Sequence, residues 1–361
     1  MREDQIAEAL RRNEPFEDLP EISVESISFE AGPPDLAMTL NVAGRKVALY
    51  GELKSSCSPL RVAQIAPWLR QLKQGRPDAG VAIVCPNLSQ ESQRICIENG
   101  IDFIDLAGNV SIRIPGSLYI YRTGRKRSPE TESSLLRDPF SGRASRILRV
   151  LLEKPRPWRT GEIAEELRKT SQLFGPFDFN VSVASVSKTL KSLNEQLLVR
   201  RQDNTVVVPE PKKLLLTWAD KYRERYKWRM RSSYKIRNPF GDELSDVSQG
   251  LRKEAPFFAF TGVAAASREA PYVDLSTIDV LIPGEAATML RSIEPGTPRG
   301  TDLRIIIPYD VGVFLYSRNI AGIPIVSPVQ VFLDLYARGG RDLKQAEYYL
   351  STVLDPLWRN Q

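Results

Sequence analysis

Histidine is absent from all 361 residues. That excludes Ser-His-Asp and Cys-His catalysis, imidazole acid–base work and His-ligated zinc. Any chemistry must run on carboxylates, lysine and an oxygen-seeking metal. Cysteine is nearly as scarce: Cys57, Cys85 and Cys96 sit in apolar or strand-like surroundings without CxxC spacing. They read as reduced, buried thiols of a cytoplasmic protein. Cys57 follows the polar cluster described next, so reactivity is the alternative to packing there. No run of 18 or more apolar residues occurs, which argues against a membrane span. Met1 to Asn13 mixes Asp, Glu and Arg in a helical pattern, unlike a secretory signal.

What is present fits an ordinary soluble chain, with 42% apolar and 26% charged residues. The length suffices for two or three domains with cores of their own. Fifty Lys and Arg against 44 Asp and Glu give a net charge of +6. This is compatible with nucleic acid without demanding it. The expected fold class is α/β, as an α+β multidomain chain.

The densest cluster of reactive groups is Asp35, Glu52 and Lys54. Leu36, Met38 and Leu40 alternate into a turn at Asn41–Arg45, and Val47, Leu49 and Leu53 follow, the pattern of a β-hairpin. A loop centred between Ala43 and Gly44 sets Asp35 opposite Glu52, and strand alternation puts Glu52 and Lys54 on one face. Two carboxylates and an ammonium then converge, suited to a divalent metal holding a phosphate and a water. A three-residue loop would instead slide Asp35 toward Leu53. The plainer alternative is an edge hairpin with two solvated acids and a snorkelling lysine.

Pro34-Asp35 followed by Gly51-Glu52-Leu53-Lys54 resembles the PD-(D/E)xK nuclease signature. The similarity extends over roughly Glu21 to Tyr121. A polar break at Ser55–Pro59 precedes a helical pattern (Val62, Ile65, Leu69, Leu72), a strand at Val81–Val84, a helix at Ser89–Glu98, and strands at Asp102–Asp105 and Val110–Ile114. The resemblance implies an αβα core, Mg²⁺ held by Asp35 and Glu52, and Lys54 supporting an attacking water. Many such folds bind without cleaving.

Basic residues bunch twice. Arg122, Arg125, Lys126 and Arg127 lead into a Ser/Pro/Glu-rich stretch with the composition of a linker, 123–142. Ten Lys or Arg fall between Lys212 and Arg237, interleaved with Trp218, Tyr222, Tyr226, Trp228 and Tyr234. Leu215, Trp218, Tyr222 and Tyr226 share a helical face, so 212–237 is expected as a basic connecting helix. Its charged side either tracks phosphates or is merely solvated.

Between them, Ile147–Leu152 has a helical pattern, and Thr160 is expected to cap a second helix carrying Ile163, Ala164 and Leu167 inward. A loop at Ser171–Asn180 precedes a third. That helix is expected to turn Val183, Val186, Leu190 and Leu193 inward and Ser185, Ser187, Lys188, Lys191 and Ser192 outward. Leu197–Arg201 and Thr205–Val208 read as strands around Asp203-Asn204. This order resembles a winged helix-turn-helix over 143–211. The resemblance implies a third helix in the major groove of double-stranded DNA, with Arg200 and Arg201 on the wing near the backbone. A winged helix used for protein contact is the alternative.

From 238 to 361 the pattern is again α/β. Phe257–Gly262 runs into a small-residue helix, Ile278–Pro283 and Leu303–Ile307 are strands, and Ser327 caps a helix with Pro328 at its first position. The layout resembles a reduced nucleotidyltransferase core. Thr277 stands where that family carries its first aspartate, so Asp279 reads as a structural acid and two-metal transfer is not expected. The segments Ser327–Leu335 and Gly339-Gly340-Arg341 are similar to AbiEi-like antitoxins of type IV toxin–antitoxin systems. Those regulators bind DNA upstream of an operon encoding a nucleotidyltransferase-like toxin. Taken together, the expected organisation is a nuclease-like domain at 1–122, a linker, a winged helix, a basic helix and a C-terminal domain. The expected function is an antitoxin-like, DNA-binding transcriptional regulator with a possible toxin partner. The alternative is a Mg²⁺-dependent endonuclease targeted by its winged helix.

Overall fold

The computed structural model describes residues 1–29, 34–116, 118–125, 138–173, 177–229, 233–241, 243–290 and 301–359. Most of the expected linker and the middle of the 171–180 loop lie outside the described residues. The fold is mixed α/β and divides into two compact units: Met1–Leu136 with Glu195–Leu197, and the remainder to Gln361.

The first unit is built on a seven-stranded sheet whose spatial order follows the chain. Helix α1 (Glu3–Arg11) precedes β1 (Ile22–Phe29), β2 (Leu36–Val42) and β3 (Arg45–Leu53). Then come α2 (Pro59–Gln74), β4 (Gly80–Cys85), α3 (Gln90–Glu98), β5 (Asp102–Asp105), β6 (Val110–Ile114) and β7 (Leu118–Arg122). The β3–β4 and β4–β5 pairs are parallel, and the others antiparallel. Helices α2 and α3 supply the crossovers that parallel pairing requires. Strand β4 is buried throughout. Val81, Ile83 and Cys85 pack with α2 and α3, while Ala82 and Val84 join Ile6, Leu10 and Phe16 on the opposite face.

The hairpin has the two-residue loop. Val42 pairs with Arg45, and Ala43 and Gly44 both have positive φ, 49° and 85°. This geometry matches the right-handed twist of the flanking strands. Strand β7 was not anticipated, because Leu118–Arg122 is a half-exposed edge with polar alternation. All three cysteines are buried free thiols. Burial pushes Cys96 up to about 12 and Cys85 well above its ordinary value, so both are protonated packing groups.

The second unit opens with α4 (Gly142–Glu153), α5 (Thr160–Leu173), α6 (Val183–Glu195), and a ribbon of β8 (Arg200–Gln202) and β9 (Thr205–Val207). A bridge between Trp158 and Val206 ties the ribbon to the segment before α5. Thr160 is the first residue of α5 rather than its cap, and the Arg159 amide is satisfied by the Glu162 carboxylate at 3.1 Å. Val183 is 53% exposed rather than inward, while Phe179 and Val181 of the preceding loop are buried. Ser192 is buried between Thr189 and Leu193, not outward.

Next are α7 (Pro211–Arg229), β10 (Tyr234–Arg237), α8 (Leu244–Glu254), β11 (Ala259–Thr261), α9 (Gly262–Ala266), β12 (Thr277–Leu281) and α10 (Gly284–Met289). The chain continues with β13 (Asp302–Ile306), β14 (Arg318–Ile320), β15 (Ile323–Ile325), α11 (Pro328–Arg338) and α12 (Arg341–Tyr349). The basic helix is thus described to Arg229, and Tyr234–Arg237 is an edge strand rather than helix. The six-stranded sheet has the order β10-β13-β12-β11-β15-β14. Ser327 caps α11 by accepting from the Gln330 amide, with Pro328 at the first position. One apolar core runs from Phe140 to Leu354, so the three-helix segment and the six-stranded sheet share an interior.

Candidate functional site

The β2–β3 ladder closes at Leu36↔Gly51, one residue before Asp35. Asp35 therefore stands beyond the paired strand, on the same register that sets it opposite Glu52. Its Oδ1 accepts from the Leu53 amide at 2.7 Å, and its Oδ2 accepts from Lys54 Nζ at 2.6 Å. Lys54 Nζ also pairs with Glu52 Oε2. Two acids on two strands are thus joined by one ammonium. All three side chains are sheltered, at 30%, 10% and 14% exposure for Asp35, Glu52 and Lys54. Burial pulls the Lys54 pKa down, but hydrogen bonds and charge from Asp35 and Glu52 outweigh it and leave it above the ordinary lysine value.

Backbone packing fixes the strand that carries Glu52 and Lys54. A Cβ on Gly51 would lie 1.8 Å from the Ala82 carbonyl oxygen, so only glycine lets β3 approach β4. Beyond the strand, the Lys54 amide donates to the Val84 carbonyl at 2.9 Å. The unit's other buried acids are structural. Asp102 accepts from Lys73 and from the Val81 and Arg113 amides. Asp105 accepts from the Leu88, Ala107 and Asn109 amides. Among the described residues no group of three or more Cys, Asp or Glu is placed to hold a metal. Asp35 and Glu52 are nonetheless hard oxygen donors, and Mg²⁺ is commonly held by one or two carboxylates with waters and substrate phosphate.

In the second unit, α6 buries Val186, Thr189, Leu190 and Leu193 and leaves Ser187, Lys188 and Lys191 exposed. Ser185 is half-buried and committed locally: its amide and hydroxyl both engage Ser182 Oγ, at 3.2 and 3.0 Å. Arg200 and Arg201 are exposed on β8, before a turn in which Asp203 has φ 54°. The structure brings four cations and one free hydroxyl onto the outer surface of α6 and the ribbon. Ser185 is not part of that set in its present rotamer.

Asp279 is 1% exposed on β12, ion-paired with Arg338 and standing 3.6 Å from Arg304 Nε. Burial pushes its carboxyl up to about 6, with the two arginines acting in the opposite sense. It is a buried, ion-paired acid. The sequence did not group the basic residues around it, since they come from β10, β13, α11 and α12, and no local spacing joins them.

No protein-family model matches the chain. No curated protein matches it either. A solved structure described as EndoMS in apo form is similar at 20% identity, over 29% of this chain and 46% of that one, with a TM-score of 0.23. The chain thus spans less than half the length of that relative.

Proposed function

We propose that the chain is a DNA-binding transcriptional regulator, antitoxin-like in character, whose α4–α6 segment and ribbon act as a winged helix-turn-helix. One observation carries this reading: α6 buries Val186, Leu190 and Leu193 while Ser187, Lys188 and Lys191 stand in solvent, with Arg200 and Arg201 exposed on the ribbon. Small hydroxyls and lysines on a helix followed by a basic wing suit a major groove flanked by phosphates. The sheet order of the second unit supports a nucleotidyltransferase-like body that has lost transfer chemistry, with Thr277 in place of an acid and Asp279 sequestered by arginines. A nucleotidyltransferase-like toxin is the partner such an antitoxin would serve. The test is fluorescence anisotropy with duplex taken from upstream of the chain's own gene, against a scrambled duplex. Equal affinity for both would remove the regulator reading.

A second reading rests on the Asp35–Lys54–Glu52 cluster. We propose that the first unit is PD-(D/E)xK-like and that Asp35 and Glu52 would hold Mg²⁺, which would polarise a phosphate and acidify a bound water. Glu52 and Asp35 orient Lys54, and Lys54 keeps two neighbouring carboxylates compatible with a buried setting. Next to an incoming phosphodiester the same ammonium would offset charge on the attacked phosphate. Nicking of plasmid in Mg²⁺ by the parent, lost in both Glu52→Ala and Lys54→Ala, would make the chain an enzyme. Intact plasmid with the parent leaves the cluster a binding element.

A further inference from the structure

A cavity of 340 Å³ opens in the second unit, lined among others by Lys235, Thr277, Arg304, Arg338, Arg341 and Asp342. Three adjacent strands set one row of it: Lys235 on β10 lies opposite Arg304 on β13, and Arg304 opposite Asp279 on β12. Like charges directly opposite one another in a sheet are destabilising, so a row reading plus, plus, minus invites a further anion. Two more cations arrive from the helices. Arg338 ends α11, the chain turns through Gly339 and Gly340 at φ 70° and 59°, and Arg341 opens α12.

The internal carboxylates do not balance this set. Arg338 pairs with Asp279 and with Asp342, the latter at 2.9 Å. Asp302 approaches Lys235 only at 3.9 Å and is held more closely by Arg237 at 3.0 Å, so those two cancel. The lining itself carries four cations and one carboxylate, Asp342, with the buried Asp279 and Asp334 also acting on Arg338. Arg304 reaches Asp279 as a 3.6 Å ion pair, and Asp279 Oδ1 is buried without a hydrogen bond. The guanidinium is therefore not consumed by its internal partner. The Thr277 hydroxyl adds a neutral donor at the rim.

We propose that this cavity binds a phosphate monoester without a metal ion. A phosphate monoester carries roughly −1.5 to −2 at neutral pH and three strong acceptor oxygens, which arginine forks match in geometry. The volume lies at the small end of ligand sites, room for a phosphate and a compact group attached to it. Guanidinium and ammonium groups replace the metal in neutralising the dianion. The site does not depend on the DNA-binding reading, because residues 143–211 contribute none of its lining.

Calorimetry on the full chain in EDTA tests it, with adenosine 5′-monophosphate, inorganic phosphate and adenosine as probes. Adenosine 5′-monophosphate and phosphate bind and adenosine does not. Lys235→Ala with Arg341→Ala removes two exposed cations and weakens binding by about 100-fold, roughly ten-fold for each charge-assisted contact. Its thermal melt stays with the parent's, since neither side chain is in the core. A 5′-phosphorylated oligonucleotide set against its 5′-hydroxyl twin separates the two sources of the monoester. Binding of the former that the double variant loses assigns the site to nucleic-acid ends, and binding of the mononucleotide alone assigns it to a free metabolite. Absence of phosphate binding, equal binding of adenosine, unchanged affinity in the double variant, or binding that needs added Mg²⁺ would each overturn the proposal.

Discussion

Replacing Lys188 and Lys191 together with alanine separates a DNA-reading helix from a merely solvated one. Both ammonium groups are exposed on α6, and Arg200 and Arg201 are exposed on β8, so four cations are available to phosphates. Each neutralised phosphate contributes about 0.9 to the slope of log affinity against log salt. Four contacts give a slope of about −3.6, and raising salt from 50 to 200 mM then weakens the parent by about 150-fold. The double variant keeps two contacts, a slope of about −1.8 and a loss of roughly 12-fold over the same range. The helix itself should hold, because its buried face is Val186, Leu190 and Leu193 and neither lysine contributes to it. Anisotropy titrations of a labelled duplex at four salt concentrations give both slopes. A variant slope indistinguishable from the parent's would refute the placement of α6 on DNA, whatever the absolute affinity.

Gly51→Ala should unfold the first unit, since its Cβ would meet the Ala82 carbonyl at 1.8 Å and only backbone separation relieves that contact. The cost should reach the upper end of overpacking, about 3 kcal/mol or more, read as a fall in urea midpoint. Asp279 has its carboxyl raised from 3.8 to about 6 by burial, against Arg338 and Arg304 and with Asp334 and Asp342 nearby. Its contribution to stability is full below pH 3.8 and is lost as pH rises through 6. A displacement of about two pH units at about 1.4 kcal/mol each amounts to ~3 kcal/mol. The difference in stability between parent and Asp279→Asn should change across pH 4 to 6, and a pH-independent difference would contradict the burial argument. Residues 137–211 expressed alone should lack a cooperative thermal transition by circular dichroism. A sharp melt from that fragment would show that the three-helix segment is self-sufficient.

The hairpin was legible because its determinants are local. Alternating Leu36, Met38 and Leu40 set one face, and Ala43-Gly44 accept the positive φ that a two-residue loop needs, so register followed from turn and pattern together. The buried stripe of α7, including Leu215, Trp218 and Tyr222, was visible for the same reason. Strands β7, β10 and β14 were not. They are short edges without a fully buried residue and carry little periodic signal. Helical spacing alone places Val183 inward, whereas it stands exposed and Phe179 and Val181 of the preceding loop are buried. The basic cavity was beyond reach of any spacing rule, since Lys235 and Arg341 meet only through a sheet order in which β10 pairs with β13.

Helix α4 ties the three-helix segment into the core of the second unit. Eight consecutive residues, Ser145 to Leu152, are buried, which no amphipathic surface helix allows. Its outer side is covered by the C-terminal half of the chain. Trp218 Nε1 donates to the Phe140 carbonyl at 3.2 Å, Trp358 Nε1 to the Leu152 carbonyl at 3.0 Å, and the Val329 amide to Glu153 at 2.9 Å. Two arginines on this helix are buried as well. Arg146 is matched by Asp310 at 2.8 Å, whereas Arg149 lies over the Trp218 ring and donates to Gln330 Oε1 at 2.6 Å. Gln330 Nε2 donates to the Tyr222 hydroxyl, Tyr222 donates to Asp334, and Thr261 donates to the same carboxylate, all in the interior. Groups bonded in a low-dielectric interior are costly to leave unmade, so α4, α7 and α11 hold or fail together. The element proposed to read DNA and the sheet that frames the basic cavity therefore share one apolar core.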